Sequence, residues 1–443
     1  MFVFALLMVF GMPWSRVFFT LGLYGFLGCF AFSGRWHKEF STLRESRIFL
    51  SAATLSLLAL ASLSYTQAPM NLAWADVSRY SKLLMVGAIM LVLDNRNKRL
   101  AVLFALATGI AALMLPTLLD GSGLATALHL PIQQFANQSY RAEHTDKGFA
   151  NLVYWKNQIS HGLFVSILCF ICLSCAVQLK RWRFPLLLLA GICVIDIVFF
   201  IYGRMALLSL SASLLLFTVL QLRSLKVRIF TLAGILGLFA VAYFSLDVVN
   251  QRIGTIVTET QGYYQGNNPA TSAGIRLHYW NISLQMFHES KFLGAGAGGF
   301  RHFLEIKQDP FSNQNHNHTH NEYLTALGQY GLIGLAALLV MLALAFQQAR
   351  KLDDKIERHS YQGILFIFSM NCLSDSLLYN QDEGWTLVFV LALIAAATSK
   401  TLAVPTPDVK TIDTLPRNRR FRLWPWVLQG LTTTRPAKEK NTK

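Results

Sequence analysis

The sequence predicts an all-α polytopic integral membrane protein with about twelve transmembrane helices. Of its 443 residues, 53% are hydrophobic and only 14% are charged, which is too apolar a composition for a water-soluble chain of this length. Apolar stretches alternate with polar ones along the chain, and a large polar loop separates the ninth stretch from the tenth. The predicted fold class is therefore a bundle of membrane helices with a large outer loop.

Twelve apolar segments are the candidate membrane spans, and several are short against the roughly 20 residues that a bilayer crossing needs. They are 1–11, 17–33, 47–64, 79–94, 100–119, 158–179, 184–201, 205–220, 229–246, 321–348, 361–379 and 385–399. The first segment has neither the basic start nor the small-residue cleavage site of a signal peptide. It is therefore predicted to be a retained span.

The basic residues between the spans predict the orientation of the chain in the membrane. Segments on one side hold 27 of the 39 Lys and Arg residues, and segments on the other side hold 12. By the positive-inside rule, the first side is cytoplasmic and carries both termini. The two long loops, 120–157 and 249–320, then lie outside. Residues 1–402 form the predicted membrane domain, and 403–443 form a basic cytoplasmic tail that is predicted to be disordered.

Composition also excludes several other classes of protein. The formal net charge of +16 follows mostly from the orientation signal, and no basic stretch interleaved with aromatic residues indicates nucleic-acid binding. All six cysteines lie in apolar runs, which argues against structural disulfides. Cys169, Cys172 and Cys175 have the spacing of an iron–sulfur motif, but they lie within a predicted span without a fourth ligand nearby. We interpret them as small apolar packing residues.

A long polar segment meets a very apolar helix at His320. Thr319 and Glu322 form a capping-box pattern, which predicts a helix with Thr319 as N-cap and His320 as first residue. The positive end of that helix favours a neutral imidazole that can accept a proton, although Glu322 acts in the opposite direction. Gly331 and Gly334 lie three apart and predict the close approach of a neighbouring helix. A purely structural cap is the alternative interpretation of His320.

Arginines on the predicted outer side are candidate anion ligands. Arg204 lies between two spans with almost no loop, where a permanent charge needs a partner, and a side chain extending to the interface is the alternative. Arg276 begins a predicted amphipathic helix that leads to the glycine-rich stretch 294–299. That stretch could cradle a phosphate or simply form a tight turn. Arg141 and Lys147 lie in the other long loop, where solvated surface charge is the alternative.

Histidines and buried acids give weaker signals. His316, His318 and His320 are spaced two apart, as metal ligands can be in an extended chain, but no outer-side carboxylate or cysteine is spaced to complete a site. No metal or other cofactor is therefore predicted. Asp196 and Asp375 lie within predicted spans, and two acids are too few to indicate a proton relay. Asp196 lies two helical turns before Arg204, too far for direct contact along the helix.

Three of these motifs together resemble the bacterial O-antigen ligase family, which includes O-antigen polymerases and protein O-oligosaccharyltransferases. The family pattern His-[Asn/Ser/Gln]-x9-Gly-x-x-Gly is met by His320, Asn321, Gly331 and Gly334. The family's Arg-x3-Leu motif at the end of a span resembles Arg204 to Leu208, and its outer-loop arginine most resembles Arg276. The resemblance extends to about twelve spans, the large loop between the ninth and tenth, and cytoplasmic termini.

The resemblance implies a glycosyltransferase of GT-C type in the bacterial inner membrane. Such proteins transfer a glycan from undecaprenyl diphosphate to an acceptor at the periplasmic face, without a metal. His320 would be the base in an inverting displacement, and Arg204 and Arg276 would stabilise the diphosphate leaving group. Substrate contacts are expected for Arg204, Arg276, Asn321, Arg141 and His318. The expected partners are the undecaprenyl-diphosphate-linked glycan, the acceptor and membrane lipid.

The acceptor distinguishes the members of this family. Ligases use lipid A-core, polymerases use another lipid-linked glycan, and protein transferases use a Ser or Thr. The ligase form of the histidine motif and the short sequence after the last span favour lipid A-core. A secondary transporter for an anionic solute is the alternative from another class, since it would also need many spans and an arginine at membrane depth. The polar residues gather at the outer face, however, so glycan transfer is the preferred interpretation.

Overall fold

The structure, a computed structural model, describes residues 1–130 and 156–399 apart from 202, 223, 246, 267–269, 291 and 312–316. Every regular element among these residues is a helix, so the all-α class is confirmed for the described part of the chain. Arg141, Lys147, His316 and the tail 403–443 lie outside the described residues.

The α-helices of the described residues are numbered here in chain order. They are α1 (Phe2–Gly11), α2 (Arg16–Phe32), α3 (Arg35–Lys38), α4 (Phe40–Glu45), α5 (Arg47–Ala61), α6 (Met70–Ser81), α7 (Met85–Met90), α8 (Arg96–Gly121), α9 (Leu124–Ala127), α10 (Gln158–Gln178), α11 (Arg183–Ile195), α12 (Arg204–Gln221), α13 (Leu225–Ser245), α14 (Asp247–Tyr264), α15 (Ser272–Glu289), α16 (Gly299–Ile306), α17 (Glu322–Arg350), α18 (Lys355–Asn371) and α19 (Gln381–Thr398).

Six helical segments of the described residues are long and apolar enough to cross a membrane, by length and composition. They are Arg47–Ser64, Arg96–Gly121, Gln158–Gln178, Lys180–Phe200, Arg204–Gln221 and Glu322–Arg350. These segments support a multi-pass membrane protein, whereas the predicted number of about twelve spans is not confirmed. The predicted span 361–379 ends early, because α18 stops at Asn371 and a non-helical connection follows. The predicted outer loop 249–320 contains most of α14 and all of α15 and α16.

Helix packing places α10 at the centre of the bundle, and α17 directly follows the segment that contains His320. Most residues of α10 are buried, and this helix packs on α8, α11, α12 and α18. Cys169 and Cys172 are among its buried residues, and all six cysteines of the chain are free thiols, which supports the packing interpretation. The start of α17 is held by α5, α15, α18 and α19.

Helix α17 is broken at Gly331. The backbone there has φ 66° and ψ −161°, a combination that is essentially restricted to glycine. The break removes the helical donors for the carbonyls of Gly328 and Gln329. Those carbonyls accept hydrogen bonds from the amides of Ala295 and Gly296 instead, at 2.9 and 2.8 Å. The glycine-rich loop therefore completes the hydrogen bonding of the broken helix.

The predicted close approach of a helix at Gly331 is wrong, because a loop occupies that place. A Cβ atom on Gly331 would lie 2.3 Å from the carbonyl oxygen of Phe292. At Gly334 a Cβ atom would lie 2.2 Å from the Cβ atom of Tyr330 in the same helix. These glycines thus permit a backbone break and its tight surroundings.

Replacement of Gly331 by alanine is expected to destabilise the protein by at least about 2 kcal/mol, since both the positive φ and the contact with Phe292 oppose a side chain. Thermal unfolding of the purified protein measures the effect. Gly28→Ala in α2 is the matched control, because a Cβ atom there would meet nothing within 4 Å. Equal melting temperatures for the two variants would contradict the prediction.

Candidate active site

The helix that carries the histidine motif begins two residues later than predicted. Asn321 is the N-cap of α17, and its side chain accepts a hydrogen bond from the amide of Leu324 at 3.1 Å. The predicted capping box is wrong, because the Thr319 hydroxyl bonds to the carbonyl of Asn321 at 2.8 Å instead. His320 consequently lies before the helix and not at its first position.

Glu322 does not reach back to Thr319, because buried groups from other elements bind its carboxylate. The hydroxyl of Tyr80 donates to Glu322 at 2.8 Å, and the amide of Leu378 donates to it at 2.9 Å. These bonds tie the start of α17 to α6 and to the connection 372–380 between α18 and α19. Tertiary contacts thus outweighed the local pattern.

His320 adopts a backbone conformation that is uncommon for a non-glycine residue. Its φ is 53°, in the left-handed region, which costs roughly 1–3 kcal/mol and persists only where surrounding contacts hold it. The imidazole lies parallel to the ring of Tyr279 of α15, with centroids 6.2 Å apart. On its other side the Nδ1 atom lies 3.2 Å from Oδ1 of Asp375. The strain is therefore maintained at a defined histidine–aspartate pair.

Asp375 is the site residue that sequence reasoning missed. It was expected within a span, but it lies in the connection 372–380, where the amides of Ser376 and of the Asn380 side chain donate to its carboxylate at 2.9 and 3.1 Å. In the sequence it is distinguished only as one of two acids within the predicted spans, 55 positions after His320. No local motif links the two residues.

Electrostatics keep Asp375 ionised. Burial acts to raise the pKa of its carboxyl group, but the hydrogen bond with His320 and the electrostatic influence of His318, His320 and Arg276 hold that pKa below its ordinary value. An ionised carboxylate can only accept hydrogen bonds, so Nδ1 of His320 donates to it, and in the neutral ring Nε2 is then the acceptor atom. The pair therefore orients a basic nitrogen.

Arg276 of α15 lies at the same connection. Its Nε atom donates to the carbonyl of Ser374 at 3.2 Å, and its Nη1 atom donates to the carbonyl and hydroxyl oxygens of Ser272 at 2.8 and 2.6 Å. Burial lowers the pKa of Arg276, while the charge of Asp375 acts in the opposite direction. The guanidinium group is thus fixed next to the residue that faces His320.

Arg204, the first residue of α12, forms an ion pair with Glu259 of α14 at 3.0 Å. The same carboxylate oxygen accepts the amide of Ala273 at 2.9 Å, at the start of the helix that carries Arg276. Arg204 and Arg276 lie close enough for the charge of one to lower the pKa of the other. The tertiary structure therefore brings the two predicted arginines near each other, with Arg276 near Asp375.

Asp196 does not pair with Arg204 but with a histidine of another helix. Its Oδ2 atom lies 2.8 Å from Nε2 of His161, and both side chains are buried. This pair joins α10 to the helical turn that precedes α12. It does not reach the outer cluster.

The remaining predicted contact residues support the geometry of the cluster. Asn321 uses both polar atoms of its side chain, since its Nδ2 atom also donates to the carbonyl of Leu373 at 3.1 Å. His318 accepts the amide of His320 on Nδ1 at 3.3 Å, and its ring packs against Tyr379 with centroids 5.3 Å apart. Substrate contacts of Asn321 and His318 stay predictions.

A set of possible metal ligands forms around the histidines, for which the sequence offered no completing carboxylate or cysteine. The donor atoms of His318, His320 and Asp375 all lie within 4.8 Å of one another. The expectation that no carboxylate completes the histidine cluster is wrong, because folding brings Asp375 to it. Activity without a metal stays a prediction, and the activity of the protein in the presence of a chelator tests it.

The glycine-rich loop uses its amides within the protein. Beyond the two bonds to α17, the amide of Ala297 donates to the Ser62 hydroxyl at 2.9 Å, and the amide of Gly298 donates to Asp76 at 2.6 Å. Phosphate binding by these amides would require them to exchange their partners. The structural interpretation of the stretch 294–299 is therefore favoured.

Asp76 predicts a dependence of stability on pH. Burial raises the pKa of its carboxyl group to about 7, although the Gly298 amide and the charge of Arg79 act to lower it. The native state then holds a proton that the unfolded state releases near its ordinary pKa, so this group lowers stability progressively as pH rises from about 4 to about 7. Asp76→Asn is expected to raise the melting temperature by a few degrees at pH 8 relative to the wild type, and by less at pH 5.

Thermal unfolding between pH 5 and pH 8 measures this difference. Asp353→Asn is the control, since Asp353 is an exposed carboxyl group. If the difference in melting temperature between the wild type and Asp76→Asn were the same at all pH values, the prediction would be contradicted.

Together these features define a multi-pass membrane protein with a histidine–aspartate pair beside fixed cations. Residues 189–339 match the family model described as O-antigen ligase, and this stretch contains Arg204, Arg276 and His320. Over these residues the chain is similar to that family, which agrees with the resemblance predicted from the motifs. Asp375 lies outside the matched residues.

A curated relative has also been found in Haemophilus influenzae (strain ATCC 51907 / DSM 11121 / KW20 / Rd). It is described as an uncharacterized protein, and it is 28% identical over 123 residues. The match covers 26% of this chain and 31% of that protein.

Proposed function

We propose that this protein is an O-antigen ligase that transfers a glycan from undecaprenyl diphosphate to lipid A-core at the periplasmic face of the inner membrane. The observation that carries the proposal is the contact of His320 with Asp375 at 3.2 Å, next to the Arg276 guanidinium. A glycosyl transfer needs a proton acceptor for the acceptor hydroxyl and a cation for the leaving diphosphate. Both requirements are met by residues around one connection.

The proposed reaction is a single inverting displacement. The acceptor oxygen forms a bond to the anomeric carbon while the bond from that carbon to the diphosphate oxygen breaks, and the diphosphate leaves with the electron pair. Nε2 of His320 takes the hydroxyl proton, and Asp375 stabilises the resulting imidazolium. Arg276 and Arg204 stabilise the negative charge that develops on the diphosphate. The residues present account for the proton and the charge without a metal.

The test is glycan transfer by the purified protein with undecaprenyl-diphosphate-linked glycan and three separate acceptors. Lipid A-core, a lipid-linked glycan and a Ser/Thr peptide distinguish a ligase from a polymerase and a protein transferase. The expected product forms on lipid A-core alone and persists in the presence of a chelator. Product on another acceptor would change the assignment within the family, and loss of product on chelation would replace the metal-free mechanism. Absence of transfer to any acceptor by folded protein would overturn the proposal.

Asp375 is proposed to position His320, and Asp375→Asn is expected to lower kcat roughly 100-fold or more. An amide can donate to Nδ1, which would favour the wrong tautomer of the imidazole. Asp375→Glu is expected to recover part of the rate, because it keeps the carboxylate. Equal losses in the Asn and Glu variants, with normal thermal stability, would contradict this role.

A further inference from the structure

A groove of about 590 Å³ is lined in part by Tyr379, whose ring packs against that of His318, and it lies outside the residues used by the proposed mechanism. It lies between α2, the segment from α6 to α7, and the start of α19. A volume of this size is typical of sites that hold a small molecule or the head of a larger one. The lining combines a polar end with an apolar wall.

Two cations define the polar end. Arg79 donates to the carbonyl of Tyr379 at 2.5 Å, and its guanidinium group lies 4.9 Å from the centroid of the Tyr379 ring. Lys82 donates to the carbonyl of Asn380 at 2.7 Å and is only 8% exposed. None of the described residues that line the groove is acidic. The polar end therefore suits an anion that can take charge-assisted hydrogen bonds.

The charges around these cations differ. Lys82 lies near two buried carboxylates, Glu322 of α17 and Glu383 of α19, which partly offset its charge. Among the described residues, Arg79 has no carboxylate within ion-pair distance, although Asp76 is near enough to sense its charge. Arg79 is thus the principal cation available to a ligand.

The apolar wall suits a hydrocarbon chain. Leu27 of α2 and Leu84, just before α7, line the groove and are 38% and 44% exposed. Trp385 of α19 closes the wall and packs against Phe19, with ring centroids 5.4 Å apart. Exposed leucines beside two cations on a membrane protein match an anionic lipid better than a soluble anion.

One connection joins this groove to the site. Along 372–380, Ser374 binds Arg276, Asp375 contacts His320, and Tyr379 binds Arg79. Arg276 and Arg79 therefore bind the connection at residues that precede and follow Asp375 in the chain. In a displacement, the acceptor enters opposite the leaving group. An anion site separate from Arg204 and Arg276 thus fits the acceptor and not the donor diphosphate.

We propose that this groove binds a phosphate-bearing glycolipid acceptor, with its phosphate at Arg79 and Lys82 and an acyl chain along Leu27 and Leu84. This inference rests on the proposed function, since it assigns a place to the acceptor of that reaction. The donor binds elsewhere, at Arg204 and Arg276.

The experiment compares phosphorylated and dephosphorylated lipid A-core with the full chain in nanodiscs of zwitterionic lipid. Arg79→Gln is expected to raise the Kd and the KM for the phosphorylated acceptor roughly tenfold or more, with the KM for the donor unchanged. The dephosphorylated acceptor is expected to bind the wild type about as weakly as the phosphorylated acceptor binds Arg79→Gln. The Arg79→Gln substitution is expected to weaken binding of the dephosphorylated acceptor no further. Ser78→Glu, which adds a negative charge to the lining and keeps both cations, is expected to act in the same direction.

Arg35→Gln is the matched control, because Arg35 also donates to a backbone carbonyl, that of Leu91, but does not line the groove. Equal weakening of both acceptors, an altered KM for the donor, or equally tight binding of phosphatidylglycerol would overturn the groove assignment. Unchanged acceptor binding in both Arg79→Gln and Ser78→Glu would do the same while leaving the proposed function intact. Phosphate-dependent binding without transfer would instead support the groove and count against the ligase reaction.

Discussion

Replacement of His320 by alanine is expected to lower kcat for glycan transfer by roughly 100- to 10,000-fold, with little change in the KM for the donor. This is the range over which a positioned general base contributes to catalysis. The reason is specific to this structure, since Asp375 holds the Nδ1 proton and leaves Nε2 to accept the proton of the acceptor hydroxyl. Initial rates at saturating donor and acceptor measure the effect.

His302→Ala is the control for this experiment. His302 lies on α16, outside the cluster of His318, His320 and Asp375. Alanine keeps a Cβ atom, so the left-handed conformation at this position stays strained in the variant, and thermal unfolding is measured beside the rate to show that the variant is folded. Full activity of folded His320→Ala would falsify the assignment of the base.

Replacement of Arg276 by glutamine is expected to lower kcat by roughly 100- to 1,000-fold, as removal of one preorganised electrostatic group does in other enzymes. Arg276 is fixed by Ser374 and Ser272, so its charge is in place before the diphosphate leaves. Arg276→Lys is expected to lie between the wild type and the glutamine variant, because it keeps the charge but loses the planar fork. Single-turnover rates with donor and acceptor bound separate this effect from binding.

Lys307→Gln serves as the control for loss of a positive charge. Lys307 pairs with Glu289 on the exposed side of the same region, 2.9 Å away. Loss of this pair should change the rate less than twofold, since exposed ion pairs contribute little. If Arg276→Gln altered the rate no more than Lys307→Gln, the role of Arg276 in stabilising the leaving group would be rejected.

The two predictions differ in how far the sequence could anticipate them. His320 is identified by a short and local motif, whereas Arg276 is a candidate through its place in the outer loop and through the family resemblance. Their grouping was not accessible from spacing, since 44 residues separate them and the connection that joins them follows a further helix pair. Glu259, the partner of Arg204, was likewise invisible in the sequence, because it becomes a partner only when α14 packs near α12.

The errors at the start of α17 have one physical cause. The Thr319–Glu322 pattern predicted a capping box, but Glu322 gains bonds from Tyr80 and Leu378 in the folded chain. Local hydrogen bonds of similar strength were available from Asn321, so the helix began later at little cost. The spacing of Gly331 predicts a helix-packing residue, whereas its positive φ is tied to contacts with the loop at Phe292, which the local sequence does not reveal.

The sequence by itself determined the helical membrane class and the identity of His320, Arg204 and Arg276 as site candidates, because composition and short motifs are properties of the chain alone. Only the tertiary structure decided that Asp375 orients His320 and that Arg276 is anchored beside it. The same holds for the groove at Arg79. Such contacts are made by residues that lie far apart in the chain, and their geometry is set by the packing of helices around one short connection.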